Sequence, residues 1–251
     1  MKETIIIDSH THIPTADYEG GNRFFKAAAP AIAYLRETGT RAAVFTTWRG
    51  VNAATEADLN AGNEAALALA RDSDGFLYPG AVIHPLFPVA SLQWLARFRD
   101  LGLLWVGELL PSCPFSDPRF LDLFESCAQN GHVVQLHNAT EIVAVAEQFP
   151  EMQVVCAHIP EEELCHRLAA LPNVWMDVSG NNGGLKMGGM ESARDTMGPN
   201  RLLYGTDFTV YEPRSYMTRL QQVLPAPVDQ EKLYHQNIIR LLAQVGSRPI
   251  I

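Results

Sequence analysis

The histidines at positions 10 and 12 are the first residues of the chain whose spacing could do chemistry. They follow the apolar, β-branched run Ile5–Ile7 in the stretch Ile-Asp-Ser-His-Thr-His. Side chains two residues apart on a strand point to the same face, about 7 Å apart, so His10 and His12 can close on one ion. Imidazole suits Zn²⁺, Mn²⁺ or Fe²⁺. Two surface histidines would give the same local pattern, so the rest of the chain must supply further ligands.

Four more nitrogen or carboxylate side chains stand at the ends of later apolar runs: Glu108, His137, His158 and Asp207. In a β/α barrel, catalytic residues lie at the C-terminal ends of the strands. A single histidine in such a place is more often a hydrogen-bonded structural residue. Here three strands end in imidazole side chains and two end in carboxylate side chains. Such a combination is not expected by chance. The pattern therefore predicts a metal site.

Eight short apolar runs, each followed by a longer stretch, must position these side chains. The candidate strands are Thr4–His10, Ala42–Thr47, Leu77–Ile83, Leu103–Leu109, His132–His137, Gln153–His158, Val174–Val178 and Leu202–Asp207. The candidate helices are Phe24–Thr38, Glu56–Arg71, Val89–Leu101, Asp117–Asn130, Thr140–Phe149 and Glu161–Ala170. The alternation predicts an α/β fold, a parallel (β/α)₈ TIM barrel. The alternative, a doubly wound open sheet, usually carries a Gly-x-Gly-x-x-Gly turn, which this sequence lacks.

Length and composition fit one barrel domain over residues 1–251. The chain is 47% hydrophobic and carries a net charge of −9, which argues against nucleic-acid and anionic-membrane partners. No apolar run approaches the length of a membrane span, and the N-terminus lacks the apolar core of a signal peptide. The four cysteines form no Cys-x-x-Cys pair, which is typical of free thiols in a reducing compartment. We therefore expect a cytoplasmic protein.

The motifs resemble those of the amidohydrolase superfamily, and most closely its amidohydrolase-related (amidohydrolase 2) branch, which includes aminocarboxymuconate semialdehyde decarboxylase. The matching segments span nearly the whole chain: Ile-Asp-Ser-His-Thr-His, Gln-Leu-His, Val-Cys-Ala-His-Ile-Pro, Tyr-Gly-Thr-Asp-Phe and His-Gln-Asn-Ile-Ile-Arg-Leu-Leu. Their order is specific for the superfamily but not for one reaction. One departure is that Ile159-Pro160 stands where many relatives carry Gly-Gly.

The resemblance implies two possible metal centres. A single ion would be held by four side chains: His10, His12, His137 and Asp207. His158 would then exchange protons with the water at the ion, as would Asp207. In relatives with two ions, a residue of the fourth strand bridges them and the histidine of the sixth strand becomes a ligand. Glu108 matches that bridging position, so one or two ions are compatible with the sequence.

Other residues are candidates for substrate binding or support. Trp48 and Arg49 follow the second strand, where Arg could hold a substrate carboxylate, and His84 follows the third strand. The glycine-rich stretch 180–189 is expected to cover the barrel mouth, with Asn181, Asn182 and Lys186 as loop candidates. Asp8 is expected either to orient a ligand or to bond within the barrel floor. Strand alternation places Trp105 toward the helices, opposite to Glu108.

The resulting hypothesis is a metal-dependent hydrolase that uses an activated water on an amide, lactone or ester bond of a small, carboxylate-bearing molecule. Zinc is the first choice of metal, with manganese or iron as alternatives. A decarboxylase or hydratase with the same site is the second hypothesis. A metal-dependent nuclease and a non-catalytic binding barrel rank below it, and a homodimer is left open as the oligomeric state.

Overall fold

The strands and helices alternate along the chain as predicted. The computed structural model describes residues 4–16, 24–180 and 184–251. Within these ranges it has eight strands: β1 (Ile7–Ile13), β2 (Ala42–Thr47), β3 (Leu77–Pro79), β4 (Trp105–Leu109), β5 (Val133–His137), β6 (Gln153–Ala157), β7 (Val174–Asp177) and β8 (Leu202–Leu203). Every pairing between them is parallel. Parallel strands need crossover connections, and helices supply these here.

Helices follow most of the strands, and side chains cap some of them at the N-terminus. Those described are α1 (Ala28–Glu37), α2 (Trp48–Val51), α3 (Glu56–Asp72), α4 (Pro88–Asp100), α5 (Pro118–Gln129), α6 (Ile142–Gln148), α7 (Glu162–Ala169), α8 (Gly189–Met197), α9 (Pro213–Val223), α10 (Pro227–Glu231) and α11 (Asn237–Gln244), with a π-helical turn at Lys232–Gln236. The Asp117 side chain accepts the backbone N–H of Arg119 and so caps α5. None of these described helices has the length and apolarity needed to cross a membrane.

Hydrogen bonds at two seams join the strands into a ring. The ladders form two sheets, β1–β2–β3 and β4–β5–β6–β7–β8. At the first seam, Ala81 donates to Trp105 at 2.9 Å and accepts from Gly107 at 2.8 Å. At the second, the N–H of Ser9 donates to Tyr204 O at 2.8 Å. Strands β3 and β8 are shorter than predicted. The residues that follow them, Ala81 and Tyr204, form their hydrogen bonds across a seam, to β4 and to β1 respectively.

A backbone irregularity in β4 changes which side chains face the barrel axis. The pairing of β4 with β5 shifts register between Val106 and Leu109, and Gly107 has a φ of +98°. A side chain at this position would place its Cβ 2.2 Å from Gln135 O, so only glycine fits. Because of the irregularity, Trp105 points inward like Glu108, and its indole N–H donates to Gln135 Oε1 at 3.2 Å. The predicted orientation of Trp105 toward the helices is therefore wrong.

The strands are buried on both faces, as their apolar content predicts. All seven residues of β1 are buried, and the strand continues three residues beyond its predicted end, so His10 and His12 lie within it. On β5, Val134 and Leu136 are fully buried on the face opposite Gln135 and His137. In the same apolar cluster, α5 buries a stripe of Phe120, Leu123, Phe124 and Cys127. The apolar core thus lies between strands and helices, and the polar side chains collect inside the barrel.

Candidate metal centre

The six side chains predicted as ligands or catalytic groups meet at one end of the barrel. They are His10 and His12 of β1, Glu108 of β4, His137 of β5, His158 directly after β6 and Asp207 after β8. The most exposed side chain of the set is that of His137, at 36%, followed by Asp207 at 14%. The cluster is therefore buried on most sides and reaches solvent at the C-terminal mouth.

The carboxylate of Glu108 lies at the centre of the cluster. Its Oε2 is 3.3 Å from His10 Nε2 and 3.2 Å from His12 Nε2. Its Oε1 is 2.8 Å from His137 Nδ1 and 3.4 Å from His158 Nε2. Each oxygen thus faces one pair of imidazoles, and Glu108 belongs to two separate three-residue sets.

The charges of this pocket favour a cation among the imidazoles. Burial alone would raise the pKa of Glu108, but the charge of His10 and the hydrogen bonds of three histidines hold it well below its usual range. Burial alone would lower the pKa of His10, but Glu108 and Asp177 outweigh burial and raise it well above its ordinary value. Both shifts have the same cause, which is the attraction between the His10 ring and the buried carboxylates beside it.

The donor atoms themselves fit a divalent metal. The Nε2 atoms of His10 and His12 lie 3.2 Å apart and face the same carboxylate oxygen. On its other side, His10 Nδ1 lies 3.1 Å from Asp177 Oδ2, and because a carboxylate only accepts, Nδ1 carries the proton. Loss of the second ring proton would leave His10 with a lone pair on Nε2, which points toward Glu108 and His12. In a tetrahedral zinc site with bonds of about 2.0–2.1 Å, ligand atoms are roughly 3.4 Å apart, close to these separations.

Asp207 borders the same set from the mouth of the barrel. Its Oδ1 is 3.5 Å from His12 Nε2 and 3.9 Å from His10 Nε2. Burial first, and then the nearby charge of Glu108, raise the pKa of Asp207. Both Asp207 and His158 have left-handed backbones, with φ of +59° and +68°. Such conformations are uncommon outside glycine and concentrate at functional sites.

Three residues of the network were missed by the sequence analysis: Gln135, Asp177 and Ser179. Asp177 ends β7, accepts from His10 and is fully buried. Burial alone would raise its pKa, but the charge and hydrogen bond of His10 outweigh burial and hold the pKa of Asp177 well below its usual range. The rule that selected the other strand ends, applied to Val174–Val178, would have found it. Gln135 and Ser179 carry no comparable local signal.

Asp8 supports the backbone around the cluster rather than an imidazole. Its Oδ1 accepts the backbone N–H groups of His10 and Thr206, both at 3.1 Å, and its Oδ2 accepts the Thr206 hydroxyl at 2.5 Å. Of the two predicted roles, the structure shows the hydrogen bond within the barrel. Asp8 thereby joins β1 to the segment that carries Asp207.

The three predicted substrate-binding residues differ in their contacts. The Trp48 ring lies 4.7 Å from that of His12, centroid to centroid, and its Nε1 donates to Thr209. Arg49 forms an ion pair with Asp58 at 3.1 Å. His84 stacks on Phe87, with centroids 4.9 Å apart. The structure therefore places Trp48 against the cluster, whereas Arg49 and His84 contact residues of neighbouring loops and helices.

The loops after β5 and β6, together with one face of α7, line a half-open cavity of about 410 Å³. Its lining begins at Asn138, next to His137, and at Ile159, next to His158, and it includes Arg167 of α7. Of the glycine-rich stretch, Lys186 pairs with Glu161 of the same wall at 3.0 Å. Asn181 and Asn182, the other two loop candidates, lie outside the described residues.

An eight-stranded parallel barrel with clustered imidazole and carboxylate side chains at its C-terminal mouth is typical of metal-dependent TIM-barrel enzymes. Within that class, the family model for amidohydrolase matches residues 7–244. The chain therefore belongs to the amidohydrolase family, which confirms the predicted resemblance. Among curated proteins, none matches the chain.

Solved structures share the fold at low sequence identity. An uncharacterised TIM-barrel protein from Bordetella bronchiseptica superposes with a TM-score of 0.75 at 20% identity, over 96% of this chain and 99% of that one. 5-Carboxyvanillate decarboxylase LigW from Sphingomonas paucimobilis has a TM-score of 0.74 at 12% identity, over 96% and 99%. A protein assigned as a 2-pyrone-4,6-dicarboxylic acid hydrolase from Pseudomonas putida has 0.72 at 17%, over 96% and 98%. The predicted barrel fold is confirmed.

Proposed function

We propose that the protein is a metal-dependent hydrolase that cleaves an amide, lactone or ester bond of a small, carboxylate-bearing substrate. The observation that carries this proposal is the Glu108 carboxylate, buried between two pairs of imidazole nitrogens. A bound divalent cation would acidify a water molecule and polarise a substrate carbonyl at this place. Family membership over residues 7–244 supports an enzyme of this kind.

Two ions, one on each side of Glu108, suit the cluster better than one. The first set is His10, His12 and Glu108, with Asp207 beside it, and the second is Glu108, His137 and His158. The contacts of His137 are with Glu108 and the His158 ring, which supports the two-ion arrangement over a single ion held by His10, His12, His137 and Asp207. Imidazole with carboxylate suits zinc first, and also manganese or iron.

Asp207 is proposed as the group that moves the proton. It is more exposed than the other carboxylates of the network and reaches the mouth. It can take a proton from an attacking water and deliver it to the leaving group. The Nε2 atom of His158 faces Glu108, as expected of a metal ligand. The predicted role of His158 in proton transfer is therefore kept as the alternative.

The substrate class is inferred from the walls of the mouth and from the structural neighbours. The names of the decarboxylase and the hydrolase above both specify carboxylate-bearing molecules. Trp48 offers an aromatic wall beside His12. Arg167 of α7 lines the cavity formed by the loops after β5 and β6, and a guanidinium group suits a substrate carboxylate. Arg49, the residue predicted for this role, already has an ion-pair partner in Asp58.

The experiment combines metal reconstitution with a substrate panel. Metal-free protein is loaded with Zn²⁺, Mn²⁺ or Fe²⁺ and assayed on lactones, esters, amides and aromatic acids that carry a second carboxylate. Hydrolysis is scored as new carboxylate and decarboxylation as released CO₂. Carboxylate release that depends on the metal supports the proposal. CO₂ release alone would establish the decarboxylase alternative, which uses the same residues, and no turnover with any metal would contradict both.

Variants separate the proposed roles. Asp207→Asn should lower kcat by about 10²–10⁴-fold, the usual scale for acid–base groups. His158→Asn should remove one of two zinc ions, and retention of both ions with lost turnover would instead make His158 the proton-transfer residue. Arg167→Gln should raise KM for carboxylate substrates more than Arg49→Gln does. A larger increase in KM for Arg49→Gln would instead assign the binding of the substrate carboxylate to Arg49.

We also propose one barrel domain over residues 1–251, supported by the family match to residues 7–244. The four cysteines form no disulfide, which supports the proposed cytoplasmic location.

A further inference from the structure

We propose that Ser179 is a positioning residue that sets the tautomer of His158 and, together with Asp177, holds that of His10, so that both rings turn an unprotonated Nε2 toward Glu108. This role presupposes the metal centre proposed above, because it prepares one imidazole in each of the two ligand sets. It concerns the proton on each ring and not the ion itself.

The Ser179 hydroxyl contacts three groups but has a single hydrogen. Its Oγ is 2.8 Å from His158 Nδ1 and 3.0 Å from His10 Nδ1, and it also bonds to Asp177 Oδ1. A carboxylate accepts and does not donate, so the hydroxyl hydrogen goes to Asp177. The two lone pairs that remain on Oγ can only accept. Both imidazole contacts must therefore be N–H donations from Nδ1.

The surroundings of Asp177 leave no alternative direction for these bonds. Besides the Ser179 hydroxyl, its Oδ1 accepts the backbone N–H groups of Ser179 at 3.0 Å and of His158 at 3.1 Å. Its Oδ2 accepts from Gln135 Nε2 at 2.8 Å and from His10 Nδ1 at 3.1 Å. With five donors converging on about four lone-pair sites, the carboxylate has no room for a proton of its own. It therefore accepts in every one of these contacts.

The consequence is that both rings present a lone pair on Nε2. That atom of His10 lies 3.3 Å from Glu108 Oε2, and that of His158 lies 3.4 Å from Glu108 Oε1. The Ser179 hydroxyl thus prepares the nitrogen of His158 on one side of Glu108 and, together with Asp177, that of His10 on the other side. Groups that orient metal-binding histidines in this way change metal affinity by about 10–100-fold when they are removed.

The two rings depend on Ser179 to different degrees. His10 Nδ1 has a second acceptor in Asp177 Oδ2, whereas the only hydrogen bond of His158 Nδ1 within the described residues is to Ser179. Without the hydroxyl, His158 is free to move its proton to Nε2 and donate to Glu108 Oε1. His10 has no such freedom. A role limited to packing would affect neither tautomer.

The test is nuclear magnetic resonance of ¹⁵N-histidine-labelled, metal-free protein, at a pH alkaline enough for the ¹⁵N shifts to report neutral rings. In the unaltered protein, Nδ1 of both His10 and His158 should carry the proton. In Ser179→Ala, His158 should shift toward the Nε2-protonated form while His10 stays unchanged. Nε2-protonated His158 in the unaltered protein, or an unchanged His158 in Ser179→Ala, would overturn the proposal.

Ser9→Ala is the matched control. Ser9 is buried beside the same cluster, and its hydroxyl has no hydrogen-bond partner within the described residues, so its removal should change neither tautomer. Zn²⁺ affinity is then measured by chelator competition. Ser179→Ala should weaken it by about 10–100-fold, and Ser179→Thr, which keeps the hydroxyl, should restore the His158 tautomer. Failure of the unaltered protein to bind Zn²⁺ would contradict the proposed function alone, because the tautomers are read without metal.

Discussion

Replacing Glu108 with glutamine should weaken zinc binding by about 10³-fold. The substitution keeps the shape of the side chain but removes the one negative charge that both imidazole pairs share. Two unit charges about 4 Å apart interact by about 4 kcal/mol at an effective dielectric constant of about 20. Since about 1.4 kcal/mol is tenfold in affinity, that is roughly 10³-fold for a single charge. The double charge of a divalent ion raises this figure and the carbonyl oxygen that glutamine keeps lowers it, so about 10³-fold is the expected scale.

The assay is competition with a chromogenic zinc chelator, with the number of bound ions counted by elemental analysis. Glu161→Gln is the control, because Glu161 stands at the same end of the barrel but is 82% exposed and pairs with Lys186. It should leave both affinity and stoichiometry unchanged. If Glu108→Gln bound zinc as tightly as Glu161→Gln, Glu108 would not be a ligand. The arrangement of two imidazole pairs around Glu108 would then have no bearing on metal binding.

Two further substitutions test the packing around the site and the pH dependence of stability. Gly180→Ala would place a Cβ 2.4 Å from His158 Nδ1, so it should lower zinc affinity. The control is Gly75→Ala, which has a similar positive φ but open space around it and should only reduce stability by about 1–2 kcal/mol. Equal zinc affinities of the two variants would contradict this expectation. Burial lowers the pKa of His132, so the folded state binds fewer protons and stability should fall as the pH drops through about 6.5. In thermal melts His132→Leu should lessen that fall and exposed His166→Leu should not; parallel curves would refute the assignment.

The positions of the six clustered side chains could be predicted from the sequence because each depends on local rules. Apolar runs mark buried parallel strands, and a parallel barrel brings all their C-terminal ends to one face. His137 and Glu108 are 29 residues apart in the sequence. Because both stand at the C-terminal end of a strand, the barrel fold alone predicts that they lie close together. The stripe on α5 follows in the same way from helical periodicity.

The orientation of Trp105 and the role of Ser179 could not be predicted in this way. Alternation along β4 fails at Gly107, and although a glycine within a strand can signal an irregularity, it does not say which side chains turn inward. Ser179 meets His10 across 169 residues. That contact depends on the path of the chain after β7, which no local pattern specifies. Asp177 is different, because the strand-end rule identifies it once it is applied to every strand.

The central claim is that Glu108 joins two metal positions. The most direct measurement is anomalous X-ray diffraction at the zinc edge, on crystals of protein loaded with Zn²⁺. We expect two peaks per chain, one between Glu108 and the nitrogens of His10 and His12, and one between Glu108 and those of His137 and His158. A single peak away from Glu108, or no peak at the barrel mouth, would contradict the account.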